Sequence, residues 1–284
     1  MRRDTRPRNL KPGAVAILVL LITIALGVDR LHADVTIDLG RGPVTVHVPP
    51  TYDPSQPAPL VMLLHGFTLS GQLQENYFQL LPWSDQLGFL YVFPDGTTDP
   101  DGNKFWNATD ACCDFYDSGV DDSQYLRDLI DEIIQELNVD TERIFLLGHS
   151  NGGFMAYRMA CDHADIIAGV ATLAGATYVD STHCTPSKPL RTLQIHGTVD
   201  DLVEYEGGLV FGDGGPYPGA VEMSISAGDP PPIMARARRE RARRIPVASW
   251  PAARRRQTSS ARRMARRQVG CASRHRLMVS SQQS

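Results

Sequence analysis

A chain of 284 residues with 42% hydrophobic and 21% charged side chains can bury the core of one sizeable α/β domain, and so ordinary a composition excludes the compositionally extreme classes. Its formal charge of −4 does not describe an evenly near-neutral surface. Residues 233–284 hold fifteen Arg and one acid, Glu240, a net +14 that leaves −18 for the rest, so an acidic body is joined to an arginine-rich tail.

The first residues have the pattern of an export signal. Arg2, Arg3, Arg6, Arg8 and Lys11 form a basic lead, and residues 14–26 are an apolar run broken only by Thr23, short for a transmembrane helix. Segment 1–33 is therefore expected to be a signal peptide cut after Ala33; Leu31, large for the −3 position, keeps an uncleaved N-terminal anchor, and with it a membrane partner, as the alternative. A secreted or periplasmic location permits disulfides among Cys112, Cys113, Cys161 and Cys184, with Cys271 left in the tail. One of the adjacent pair is expected to bridge to Cys161 or Cys184, because a bond between Cys112 and Cys113 themselves would be strained. No Cys/His spacing resembles a zinc motif, so neither metal nor cofactor is implied.

Residues 35–39 and 44–48 alternate apolar and polar side chains around Gly40-Arg41-Gly42-Pro43, a hairpin signal. After a proline-rich loop, residues 60–64 are wholly apolar and end in His65-Gly66, as a buried central strand would. Residues 72–81 have helical spacing through Leu73, Phe78 and Leu81, and residues 89–93 are a short buried strand closed by Pro94-Asp95-Gly96. Residues 97–119 are loop-like, and a loop of that length inside a compact domain more often serves function than mere connection. Asp121 and Asp122 then open a helix with an apolar face of Leu126, Ile130, Ile133 and Leu137. Strand-like runs at 144–147, 169–174 and 192–196 alternate with helical segments, so parallel βαβ units are expected. Beyond Ser224 the periodicity stops, although residues 234–244 have some helical character. Residues 225–284 are expected to be a disordered Arg-rich tail, Lys-free and nearly acid-free, of the kind a shifted reading frame in a GC-rich gene yields.

The stretch that carries chemistry is Gly148-His149-Ser150-Asn151-Gly152, set between an apolar strand and a helix. A nucleophile elbow needs that order, because the tight turn leaves no room for side chains two residues either side of the nucleophile. Ser150 is the candidate nucleophile. The backbone amides of Phe67, after the His65-Gly66 strand end, and of Asn151 are the candidate oxyanion donors. Asp200, in His196-Gly197-Thr198-Val199-Asp200, stands where the orienting acid belongs, with Asp201 as its rival.

Taken in order, Leu64-His65-Gly66, Phe93-Pro94-Asp95-Gly96, Cys112-Cys113, Val120-Asp121-Asp122, Ser150-Asn151-Gly152-Gly153 with Met155-Ala156-Tyr157-Arg158, and His196-Gly197-Thr198 with Asp200, Val203, Tyr205 and Gly207-Gly208 resemble the secreted polyhydroxybutyrate depolymerase and feruloyl esterase group. The resemblance spans roughly residues 35–222. It implies an α/β-hydrolase fold over residues 34–224, hydrolysis of a polyester or plant cell-wall ester by Ser150 and Asp200, and an acyl pocket bordered by Trp106 and its loop. His65, Trp106, His149 and Tyr205 are the candidate substrate contacts.

The chain departs from that group in lacking its Gly-His-x-Trp-Pro segment, so the last strand and closing helix are expected to be missing and activity impaired. His275 is the one histidine downstream of Asp200, and the flanking Arg274 and Arg276 disfavour the protonated form it must take as a base. Two rival readings are an inactive, truncated hydrolase and an anion-binding protein acting through the tail. No nucleic-acid partner is expected for an exported protein, and the residues do not speak to oligomeric state.

Overall fold

The computed structural model describes residues 33–212 and 214–220. The expected signal segment up to residue 32, the Arg-rich tail, its possible helix at 234–244 and His275 lie outside the described residues. Among the described residues no helix is long and apolar enough to cross a membrane.

A seven-stranded sheet forms the centre, its strands in the order β1 (Val35–Asp38), β2 (Pro43–His47), β4 (Leu90–Val92), β3 (Ala58–Leu64), β7 (Val139–His149), β8 (Gly169–Leu173) and β9 (Arg191–Ile195), while β5 (Thr97–Thr98) and β6 (Lys104–Phe105) pair apart from it. The hairpin of β1 and β2 is antiparallel and joins β4 antiparallel. From β4 through β3, β7 and β8 to β9 every pairing is parallel. The mostly parallel α/β architecture expected from the alternating runs is therefore present. The interior strands β3 and β4 are buried almost throughout, which is why their sequences are continuous apolar runs.

Helix α3 (Asp122–Glu136) follows its predicted face closely: Leu126, Leu129, Ile130 and Ile133 are buried, and Leu137 is the C-cap. The stretch expected to be one helix at 72–81 is instead two. Helix α1 (Gly71–Phe78), capped by the Ser70 hydroxyl, ends where Gln79 takes a left-handed conformation; α2 (Leu81–Leu87) follows with Pro82 in its first turn. Leu73, part of the helical spacing read in that stretch, is exposed, while Gln74 and Glu75 are buried. These polar side chains point inward because loop amides wait for them. Gln74 Oε1 accepts from Gly66 N at 3.0 Å, and the Glu75 carboxylate accepts from Leu80 N, Leu81 N and the Tyr91 hydroxyl at 3.2, 3.0 and 2.5 Å.

The cysteines pair differently from expectation: Cys112 is joined to Cys113, and Cys161 to Cys184. Cys161, on α4 (Asn151–Asp162), is brought to Cys184 with their Cα atoms 4.7 Å apart, whereas the adjacent pair lies in the loop packed over the start of the same helix. At the far side of the sheet β9 is the edge strand, with Leu193 and Ile195 more than half exposed, the uncovered apolar edge expected if a further strand is wanting among the described residues.

Candidate active site

Strand β7 runs straight into α4, and Ser150 is the turn between them. Its backbone has φ 53° and ψ −121°, a conformation that L-residues avoid at a cost of about 1–3 kcal/mol. Surrounding bonds hold it there: Ser150 N donates to Leu173 O at 2.8 Å, and Ser150 O accepts from Gly153 N and Phe154 N at 2.7 and 3.0 Å. The two glycines of the motif are required by space. A Cβ on Gly148 would sit 2.0 Å from Gly152 O, and one on Gly152 would sit 2.2 Å from Leu64 O. The Ser150 hydroxyl does not cap the helix, so it remains available at the C-terminal edge of the sheet.

The loop after β3 reaches the same edge, because Leu64 pairs with Gly148 in register. A Cβ built on Gly66 would lie 3.5 Å from Ser150 Cβ. Among the described residues neither the Phe67 nor the Asn151 amide donates to a protein acceptor, and Asn151 opens α4, whose N-terminal dipole favours negative charge. Two strands away, β9 delivers Asp200 to that edge, with Ala174 N to Ile195 O (2.9 Å) tying the strand ends together. Asp200 Oδ1 accepts from Leu202 N and Val203 N at 3.0 and 3.2 Å, leaving Oδ2 outside these bonds. Its loop is further held by His196, whose Nε2 donates to Val203 O at 2.7 Å while Nδ1 accepts from Gln194 Nε2 at 3.0 Å.

Of the four expected substrate contacts, His65 and Trp106 are wholly buried. His65 donates from Nδ1 to Gly66 O and accepts at Nε2 from Gly96 N, both at 2.8 Å; the Trp106 indole donates to His65 O at 3.1 Å. Both therefore support the loop after β3 from behind and offer a substrate no surface. His149 is half-buried, stacked on Tyr77 with centroids 5.7 Å apart and with Nδ1 3.3 Å from Gln74 Oε1. Tyr205 packs edge-on against His196 at 5.8 Å, beside the loop that carries Asp200.

Burial pushes His65 down from its ordinary 6.5 to about 4, the hydrogen bond to Gly66 O opposing this only in part. As pH falls, the unfolded chain takes up this proton before the folded one. The stability that neutral His65 contributes is thus complete above about pH 6.5 and lost progressively toward pH 4, a loss of about 3 kcal/mol. Thermal unfolding between pH 7 and pH 4.5 should show this decline, and a His65→Gln protein should start less stable and decline less steeply.

Sequence patterning did not single out an aromatic cluster at the site mouth. The Phe67 ring lies 5.3 Å from Phe115 and 6.2 Å from Phe211, and the latter two are 6.0 Å apart. Phe115 sits in the 97–119 loop, which its length had marked; no local signal links Phe211 to it. That loop is anchored by buried Asp122, which binds Arg41, Thr97 Oγ1 (3.0 Å) and Asn107 N (2.7 Å), and by Arg158, which donates to Asn107 O at 2.6 Å. Among the described residues no group of His, Cys, Asp or Glu side chains could hold a metal ion.

Residues 51–211 match the phospholipase/carboxylesterase family. The chain belongs to that family. Among curated proteins it is similar to feruloyl esterase B of Piromyces equi, 34% identical over 169 residues, covering 58% of this chain and 30% of that one. It is likewise similar to a bifunctional acetylxylan esterase/xylanase of Neocallimastix patriciarum, 28% identical over 163 residues (57% of this chain, 22% of the relative), and to poly(3-hydroxyalkanoate) depolymerase C of Paucimonas lemoignei, 29% over 132 residues (45% and 30%). The matched segment thus spans less than a third of each of these relatives. For this phospholipase/carboxylesterase family member, the match covers the loop after β3, the Ser150 turn and the loop that carries Asp200 together.

Proposed function

We propose that the chain hydrolyses carboxylic esters, with Ser150 as nucleophile, Asp200 as the acid that would steer a histidine, and the Phe67 and Asn151 amides receiving the oxyanion. The observation that carries this is Ser150 held at φ 53° at the mouth of β7, beside an oxyanion loop whose Gly66 would place a Cβ within 3.5 Å of its own. Attack by Oγ on the ester carbonyl would shift charge to the carbonyl oxygen, where the amides and the start of α4 would stabilise it. Plant cell-wall esters and polyesters are the substrate classes that the similar feruloyl esterase and depolymerase suggest, in keeping with a secreted or periplasmic protein. The Phe67, Phe115 and Phe211 rings favour a bulky apolar acyl group.

A second reading, an impaired hydrolase, is favoured by the commitments of the nearby imidazoles. Among the described residues no histidine is hydrogen-bonded to Ser150 Oγ: His65 and His196 each use both nitrogens elsewhere, and His149 faces Gln74 and Tyr77. His275 keeps the role of candidate base by order alone. The test is release of product from p-nitrophenyl acetate, methyl ferulate and a 3-hydroxybutyrate oligomer by purified protein. Rates at the uncatalysed background for all three would end the first reading and leave the second.

A further inference from the structure

Asn151 carries a side chain as well as the amide assigned above, and that side chain is wholly buried. Its Oδ1 accepts from Trp106 N at 2.8 Å and its Nδ2 donates to Trp106 O at 2.9 Å, a two-point clamp on the backbone of a residue 45 positions away. Trp106 passes the constraint on: its indole N–H bonds to His65 O and its ring lies 5.0 Å from the His65 ring. His65 in turn donates to Gly66 O, in the residue before Phe67. The two amides proposed to receive the oxyanion therefore belong to segments joined through a continuous chain of buried hydrogen bonds. An amide side chain suits this task, since only a carboxamide offers an acceptor and a donor spaced to pair with one residue's N–H and C=O. A buried polar group so fully bonded also specifies one geometry.

We infer that the Asn151 side chain is a positioning residue, setting the distance between the Asn151 and Phe67 amides through Trp106 and His65. The inference rests on the ester-hydrolase reading for its catalytic meaning, whereas the clamp can be tested without turnover. In the full ¹⁵N-labelled chain, Asn151→Ala should speed exchange of the Trp106 indole N–H by about tenfold or more while the core amide of Leu146 is unchanged. The indole signal is identified by its loss in Trp106→Phe. With p-nitrophenyl acetate, Asn151→Ala should lower kcat by about a hundredfold with KM within about twofold, as expected when reacting groups are misplaced and binding is not. Indole exchange equal to that of the parent protein in folded Asn151→Ala would overturn the inference, as would an unchanged kcat. Should Asn151→Ala not fold, Trp106→Phe leaves the backbone groups that Asn151 binds and removes the indole N–H. Faster exchange at the Gly66 amide then supports the relay, and unchanged exchange overturns it. Absence of turnover in the parent protein would instead count against the hydrolase reading, with exchange still deciding the clamp.

Discussion

Ser150→Ala should lower p-nitrophenyl acetate hydrolysis, and the size of the drop will report whether an imidazole serves this serine. With a complete nucleophile, base and acid, loss of the nucleophile lowers kcat by a factor of about 10⁶. With oxyanion amides and binding alone, the parent protein would exceed water by only about 10³ to 10⁴, and removing the hydroxyl would change little of that. The structure makes the distinction meaningful, because His65 and His196 use both ring nitrogens elsewhere and His149 turns Nδ1 to Gln74 Oε1. A large ratio would point to a base such as His275, and His275→Ala would then reproduce most of it. Stopped assays over a range of enzyme concentrations measure both rates, and equal rates in parent and Ser150→Ala proteins would remove Ser150 from the chemistry.

A large effect on stability is expected from Gly152→Ala. The new methyl carbon would lie 2.2 Å from Leu64 O and 2.6 Å from His65 O, both backbone atoms of the strand end that carries the oxyanion loop. A flexible side chain could move aside; backbone carbonyls at the end of β3 cannot do so without moving the strand end, and His65 O is also held by the Trp106 indole. Relief requires α4 to move away from β3, and overpacking of this kind costs about 3 kcal/mol. A domain of this size should then melt roughly 6–12 °C lower. Gly197→Ala is the control, because a Cβ there meets nothing closer than 3.9 Å and its φ lies outside the left-handed range; its melting temperature should stay within about 2 °C of the parent value. Similar melting temperatures for Gly152→Ala and the parent would mean that the elbow is less tightly packed than described. The same variant should lose activity even where it remains folded, since Ser150 and the Phe67 amide are spaced by this contact.

Much of the scaffold was legible because its signals are local. An apolar run of strand length before His65, the 3–4 repeat of α3 and two glycines spaced around Ser150 each depend on side chains a few residues apart, and each is found as predicted. The order of elements also implied the parallel sheet, since short strands separated by helical segments pack in few other ways. The inner face of α1 was misjudged because apolar spacing cannot reveal that Gln74 and Glu75 are needed by amides of the Gly66 loop and of α2.

What the sequence determined by itself was which residues can turn sharply, run straight or bury a face: the strand, elbow and helix around Ser150, and the place of Asp200 after β9. Only the tertiary structure decided which side chains meet across long separations. It put His65 and Trp106 in the interior as props, joined Cys161 to Cys184, bound Asn151 to Trp106 and gathered Phe67, Phe115 and Phe211 into one cluster. The physical reason is that periodicity records whether a side chain is buried, whereas its partner is chosen by how the layers close, and a polar group can be buried wherever closing them brings it a matching donor or acceptor.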